Sequence, residues 1–456
     1  MDLKKNVVGE TIGKYRWLIC SLLFANTANN YLDRQMLGIL SPTLKVTYGW
    51  TDADWAFITN CFQVAYAFGL PFFGRLVDKW GTRATYAWAT IFWGFAALGH
   101  GLCYWIAKES TVGSLFGSST IVGSTMLLTV AAFALFRFFL GIGEAVNFPA
   151  AIKAVTEWFP KKERALATGI FNSGANIGAV IAPAMVPWIA INWGWPWAFV
   201  VGGSINFVFV LFWWPMYRRP QEMKRLDPAE LNHILSDDEE EANEQKIPWR
   251  DLLKYRATWA FVIGKAMTDP IWWFFMFWLP LWLNKTFNCD LKTLGLPLII
   301  VYSFVSIGSI GGGFLSSALI SSGKSINYSR KMAFFICACL VMPVFIANQI
   351  SNMWVAAVII GLAMAAHAGW SANIFTLASD CFPKNALASV IGLGGFAGTA
   401  ASVGLNGFVG WWLTRHPGEY NIFFIIAASS YILCFIIVHL LVPNIRTVTV
   451  IGTDKN

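Results

Sequence analysis

Seven ionisable side chains stand inside long apolar stretches of this chain: Asp33, Arg34, Arg137, Glu144, Lys265, Asp269 and His367. A charge near the centre of a bilayer costs at least about 2.5–3.5 kcal/mol on insertion scales, so each requires a partner or a pathway. Arg137 and Glu144 are seven residues apart, two helical turns, and share one helix face about 10 Å apart along the axis. Lys265 and Asp269 are four apart and can pair directly, with Pro270 relaxing the helix beside them. Asp33 and Arg34 are adjacent, diverge by about 100° around a helix, and each needs a partner from another helix or a solute in a cavity. Buried carboxylates can exchange protons near neutrality, whereas arginine keeps its charge under all conditions. The chemistry these residues offer is proton exchange combined with attraction of an anionic solute. The competing reading is a set of salt bridges that only holds a helix bundle together. No nucleophile–base pair and no metal-ligand spacing accompanies the charges, so no catalytic residue, metal or cofactor is expected, and the chain does not read as an enzyme.

The elements that position these groups are helices. The chain is 56% hydrophobic and 13% charged, against about 25% charged in soluble domains. Apolar stretches of about 20 residues, enough to cross a membrane as a helix, recur from Trp17 to Leu441. The alternation of a membrane barrel is absent from them. Charged and Pro/Gly-rich breaks divide the chain into twelve spans near 16–42, 54–76, 84–106, 126–154, 165–190, 196–216, 257–284, 294–320, 331–349, 353–379, 387–413 and 420–442. The first apolar run exceeds signal-peptide length and reads as a retained span. Eight scattered cysteines without a C-x-x-C pair suggest packing residues, and no phosphate-binding G-x-x-x-x-G-K-[ST] loop points to ATP coupling.

Lysine and arginine are distributed unevenly across these spans, with twenty-four on the side of the chain ends and five on the other. The bias places both termini in the cytoplasm. A polar linker, 217–256, carries the acidic run Asp237–Glu241 and separates an N-terminal unit, 1–216, from a C-terminal unit, 257–442, with a tail at 443–456. The two units repeat. A shift of 223 positions lays Thr156-Glu157-Trp158-Phe159-Pro160-Lys161 over Ser379-Asp380-Cys381-Phe382-Pro383-Lys384 and places Glu144 opposite His367. Parallel repeats of this kind put a substrate site between the halves near the midplane. The expected fold is an all-α membrane protein of twelve transmembrane helices in two pseudo-symmetric six-helix bundles.

Between spans 2 and 3 stands Gly74-Arg75-Leu76-Val77-Asp78-Lys79-Trp80-Gly81-Thr82-Arg83, which resembles the loop signature G-x-x-x-D-[RK]-x-G-x-[RK] of the major facilitator superfamily. Arg137-x-x-x-Gly141-x-Gly143-Glu144-Ala145 is similar to a second signature of that superfamily. Within it, Asn30-Tyr31-Leu32-Asp33-Arg34-Gln35, Gly143-Glu144-Ala145-x-x-Phe148-Pro149-Ala150 and Lys265-x-x-x-Asp269-Pro270-x-Trp272-Trp273-Phe274 resemble the anion:cation symporter branch and its hexuronate transporters. The likeness runs from about Gly13 to Pro443. It implies proton-coupled uptake of a sugar acid such as glucuronate or galacturonate by alternating access, with aldonates as the alternative substrates and export of a drug or metabolite as the alternative direction.

Carried over by motif, Asp33 and Glu144 are the proton-coupling residues, with Arg34 and Arg137 their charge partners and candidate carboxylate contacts. Tyr31, Tyr66 and Asn172 line the N-terminal half of the cavity; Lys265 takes the substrate carboxylate, assisted by His367, Ser371 and Asn373. Trp272, Trp273 and Trp370 are candidates to stack on a sugar ring, while most of the 24 tryptophans mark headgroup belts. Gly74, Asp78, Arg83 and Asp269 are the gating candidates. The connection from Ala107 to Thr125 and the loop from Gly313 to Arg330 depart from the superfamily pattern. The implied partners are an anionic small molecule, protons and the bilayer, with no nucleic acid, for a monomer in the cell inner membrane.

Overall fold

The computed structural model describes residues 13–108, 121–236, 249–446 and 448; most of the 107–125 connection and the acidic run Asp237–Glu241 lie outside them. The described residues form helices joined by short turns, without a strand. In the N-terminal half the spans are Tyr15–Tyr48, Asp52–Trp80, Thr82–Lys108, Ile121–Glu144 continued by Asn147–Trp158, Lys161–Trp193 and Trp195–Met216. In the C-terminal half they are Arg256–Phe287, Leu291–Ser321, Ile326–Val341 continued as a 3-10 helix to Gln349, Met353–Cys381, Lys384–Arg415 and Asn421–Leu441. Numbered 1 to 12 in that order, they make the two six-helix bundles. Seven of them combine the length and hydropathy of a membrane span by composition alone. Span 1 is long enough, at 34 residues, but is diluted by Asn26, Asn29, Asn30, Asp33, Arg34 and Gln35, all of which are buried.

Span 4 is not one continuous helix. It breaks immediately after Glu144, where Val146 N–H reaches only back to Gly143, and resumes at Asn147. Pro149 explains the site of the break: it lacks an N–H for the carbonyl of Ala145, and its ring crowds that carbonyl. Glu144 is thereby held at a discontinuity in the middle of the bundle.

Close packing within each bundle relies on small residues. Gly174 and Gly178 of span 5 lie against the backbone of span 1 from Phe24 to Ala28, so a side chain at either would strike main chain. Gly308 and Gly312 of span 8 meet Ala365 and Gly369 of span 10 in the same way. The sequence repeat has a structural counterpart. Glu157, ending span 4, accepts hydrogen bonds from Thr82 at the start of span 3 (3.0 Å) and from the Tyr217 hydroxyl (2.6 Å). Its repeat mate Asp380, ending span 10, binds Arg330 at the start of span 9 (2.9 Å).

Both bundles carry their chain ends and the linker on one face. There the linker helix Pro228–Leu235 holds the start of span 1: the Glu230 carboxylate accepts from Tyr15 N–H (3.1 Å) and Arg16 N–H (3.0 Å). The bundles touch each other on the opposite face. Asn406 of span 11 donates to Thr59 Oγ1 and Asn60 Oδ1 of span 2, both at 2.8 Å, and Asn60 donates to Val403 O (3.2 Å). Two turns further out, Ala53 N–H donates to Thr414 Oγ1 (2.9 Å). Spans 5 and 8 also meet there, Gly295 against Pro183. Toward the linker face no such contact joins these four spans among the described residues, and Phe68 and Phe72 of span 2, Leu166 of span 5, Phe314 of span 8 and Phe396 of span 11 are exposed. The halves are sealed on the face opposite the linker and parted on the linker face.

Candidate functional site

The Arg34–Glu144 pair sits where spans 1, 4 and 7 meet. Arg34, from the middle of span 1, reaches Glu144 at the break in span 4: its Nε and Nη2 donate to one Glu144 oxygen at 3.1 and 2.9 Å. Both side chains are essentially inaccessible. A guanidinium held this way must be screened on its flat faces, and four aromatic rings do so. Tyr31 and Tyr66 lie 4.8 Å from its central carbon, Phe62 5.1 Å and Trp273 5.7 Å, within cation–π range. Trp273 belongs to span 7, so the other bundle completes the cage. Tyr31 and Tyr66, expected from the sequence to line the N-terminal half of a cavity, lie on the charge pair; Phe62 and the crossing contact of Trp273 to Arg34 have no counterpart in the sequence reading.

Arg137, on span 4, donates to the carbonyl of Arg34 (3.2 Å); its Nε and Nη1 find no partner among the described residues. The second Glu144 oxygen is likewise unpartnered. Asp33 turns the other way, as its adjacency to Arg34 requires. Its carboxylate accepts from Asn206 of span 6 (2.8 Å) and from Asn29 (3.3 Å), deep inside the N-terminal bundle. Asn206 in turn accepts from Asn29 and from the Trp93 indole. Neither Asn206 nor Trp93 stood out in the sequence; the signal was a lone asparagine in the otherwise apolar span 6.

In the C-terminal half Lys265 and Asp269 form the pair their spacing predicts, Nζ to Oδ1 2.8 Å. The ammonium also lies 5.0 Å from the Phe375 ring centre, and Asp269 packs against Gly398 of span 11. His367 stacks on Trp272 (5.2 Å, 19°) and shares a 2.6 Å hydrogen bond with the Tyr431 hydroxyl. Ser371 is half-buried. Two predicted contacts sit inside the wall and not on its surface. Trp370 is fully buried between Phe334 and Tyr431, and Asn373 donates to Gly312 O and Gly369 O at 2.9 Å, tying span 10 to span 8. Asn172 is exposed on span 5. Of the gating candidates, Asp78 pairs with Lys153 within its own bundle (2.8 Å). Arg83 donates to Trp214 O (2.6 and 3.1 Å) with its guanidinium over that indole, and Gly74 lies in the last turns of span 2.

The site is therefore two buried ion pairs, Arg34–Glu144 and Lys265–Asp269, with Asp33 and Arg137 beside the first, in a low-dielectric core between two bundles open to one face, the arrangement of a secondary transporter. The chain belongs to the Major Facilitator Superfamily, whose sequence profile matches residues 23–405. It is 29% identical over 391 residues to the hexuronate transporter of Escherichia coli (strain K12), covering 85% of each chain. It is 28% identical over 331 residues to the galacturonate transporter of Dickeya chrysanthemi, covering 72% of this chain and 89% of that one. Its fold matches the crystal structure of the D-xylose-proton symporter with a TM-score of 0.68 at 15% identity, covering 95% of this chain and 100% of the other.

Proposed function

We propose that this chain is a proton-coupled symporter that takes up a hexuronate such as glucuronate or galacturonate across the cell inner membrane, acting as a monomer with both termini in the cytoplasm. The names of its relatives and the excess of cations on the linker face support that reading. With this orientation the parted face opens inward. The units 1–216 and 257–442 are then the rocking bodies, joined by 217–256 and followed by the tail 443–456.

The observation that carries the mechanism is the caged Arg34–Glu144 pair beneath Trp273 of the opposite bundle. A substrate carboxylate competes with Glu144 for Arg34. Entry of a negative charge into a balanced core requires neutralisation, and a proton on Glu144 supplies it while releasing the guanidinium. Asp33, held by Asn206, is the second proton site and sets the charge that Arg137 feels. Lys265 offers the C-terminal contact for the carboxylate, with His367 and Ser371 nearby, Trp370 and Asn373 shaping the wall behind them, and Asn172 on the facing side. Closing the parted face brings the ends of spans 2 and 3, with Asp78 and Arg83, toward the other bundle.

The test is uptake into proteoliposomes under an imposed pH difference. Glu144→Gln is expected to exchange labelled uronate for unlabelled but not to accumulate it; accumulation at the wild-type level rules out the coupling role. Lys265→Ala is expected to bind uronate at least tenfold more weakly with its fold intact.

A further inference from the structure

The Lys265–Asp269 pair raises a difficulty for anion binding that the pair itself can resolve. Lys265 is the cation reachable from the interior: its side chain is 11% and that of Asp269 17% exposed, against 3% and 0% for Arg34 and Glu144. Yet its ammonium is already satisfied by Asp269 at 2.8 Å. A carboxylate arriving at Lys265 would lie beside a second carboxylate in a medium that screens charge poorly. The Asp269 carboxylate lies over Gly398 of span 11, in space that even a methyl group there would fill, so the missing side chain at 398 is what makes room for it beside Lys265. Pro270 follows it directly and leaves the Ala266 carbonyl without its helical donor, so the helix there is already loosened on the side of the pair. The other titratable groups around it are His367 of span 10 and Tyr431 and Cys434 of span 12; none is a cation positioned to replace Lys265 as its partner.

We infer that Asp269 is a proton-coupling carboxylate of the C-terminal half. The proposal rests on the symporter reading above and adds a third proton site to it, the first in the C-terminal half. When the substrate carboxylate takes Lys265, a proton from water forms an O–H bond on the displaced Asp269 oxygen. At the C-terminal pair this exchange is neutral, one carboxylate against one proton; with the proton on Glu144 as well, each turnover carries one net positive charge inward. On release to the inner face the O–H bond breaks, the proton leaves to water, and Asp269 recaptures Lys265. Asp269 thus sets affinity and proton stoichiometry together, a different role from a gate. It also makes the two bundles alike, each holding a cation in reserve behind an acid.

The experiment measures proton and uronate fluxes in the same proteoliposomes, with a pH dye inside and labelled uronate outside. Asp269→Asn leaves Lys265 free, and its proton-to-uronate ratio is expected to fall by one from the wild type, while uronate exchange persists. An unchanged ratio overturns the proposal. If Asp269→Asn is not recovered folded, the neutral pair Lys265→Gln/Asp269→Asn, which strands no charge, is measured for the same ratio with uronate raised more than tenfold to offset the lost Lys265 contact, and a ratio equal to that of Lys265→Gln alone under the same conditions overturns the proposal. Asp269→Glu keeps the acid, and it must keep the wild-type ratio; a ratio lower by one there also counts against the role. Failure of the wild type to move uronate at all would instead remove the symporter reading, so the two failures are distinct.

Discussion

Asn406 is the residue on which the sealed face most depends, since it alone binds three groups of the opposite bundle among the described residues. Its side-chain amide offers two hydrogens, shared among Thr59 Oγ1 (2.8 Å), Asn60 Oδ1 (2.8 Å) and Ala56 O (3.2 Å), all on span 2. Its oxygen accepts from Trp278 Nε1 (2.7 Å), within its own bundle. Asn406→Ala deletes about two hydrogen bonds across the bundles, each with a net value of about 1 kcal/mol. Thr59 keeps its own bond to Trp55 O (2.9 Å), so little desolvation penalty is left on span 2. The loss at Trp278 is equal whether the bundles touch or part, and only differential interactions shift a conformational equilibrium. The expected shift is therefore about 2 kcal/mol, or about 30-fold, toward states parted on that face. Spin labels at Thr47→Cys and Arg415→Cys, both exposed and on different bundles, report it by pulsed dipolar spectroscopy once the half-buried Cys61 and Cys339 are replaced. A change of less than about threefold in the ratio of the two distance populations would refute the assignment of this cluster as the principal clasp.

Arg34→Ala strands Glu144 in the core and is expected to cost about 3–5 kcal/mol, seen as a lower Tm in detergent; Arg34→Ala/Glu144→Ala should recover more than half of the loss. Gly312→Val is expected to abolish a monodisperse folded peak in size-exclusion chromatography, because its side chain would strike Gly369; Gly311→Val, with open space around it, should be tolerated. Glu230→Ala removes the acceptor for two backbone N–H groups of span 1 and is expected to cost about 2 kcal/mol locally, raising amide hydrogen exchange at Tyr15 and Arg16 about 30-fold.

The helices, the bundle-by-bundle repeat and the identity of the buried charges were legible because each is a local or periodic property. An apolar run of about 20 residues has few alternatives in a bilayer, and a charge inside one stands out. The Lys265–Asp269 pair was legible for the same reason, since a separation of four is contact on any helix. Hydropathy alone makes span 4 one helix from 126 to 154; the break after Glu144 follows from Pro149, which leaves the carbonyl four residues earlier without a donor.

What the chain's order of residues determined alone is which groups must be buried and that they come as three acids and three fixed cations. Tertiary packing alone decided the partners of those in the N-terminal half: Arg34 takes Glu144 from 110 residues away, Asp33 takes Asn206, and Arg137 takes the Arg34 carbonyl. It also decided which face is closed, through Asn406 and Asn60. The physical reason is that a helix sets the direction in which a side chain leaves it, but the side chain's partner depends on the rotation and tilt of neighbouring helices. Those are governed by the sum of many small contacts, such as the glycine approaches of spans 1 with 5 and 8 with 10, and by how two finished bundles rest on one another.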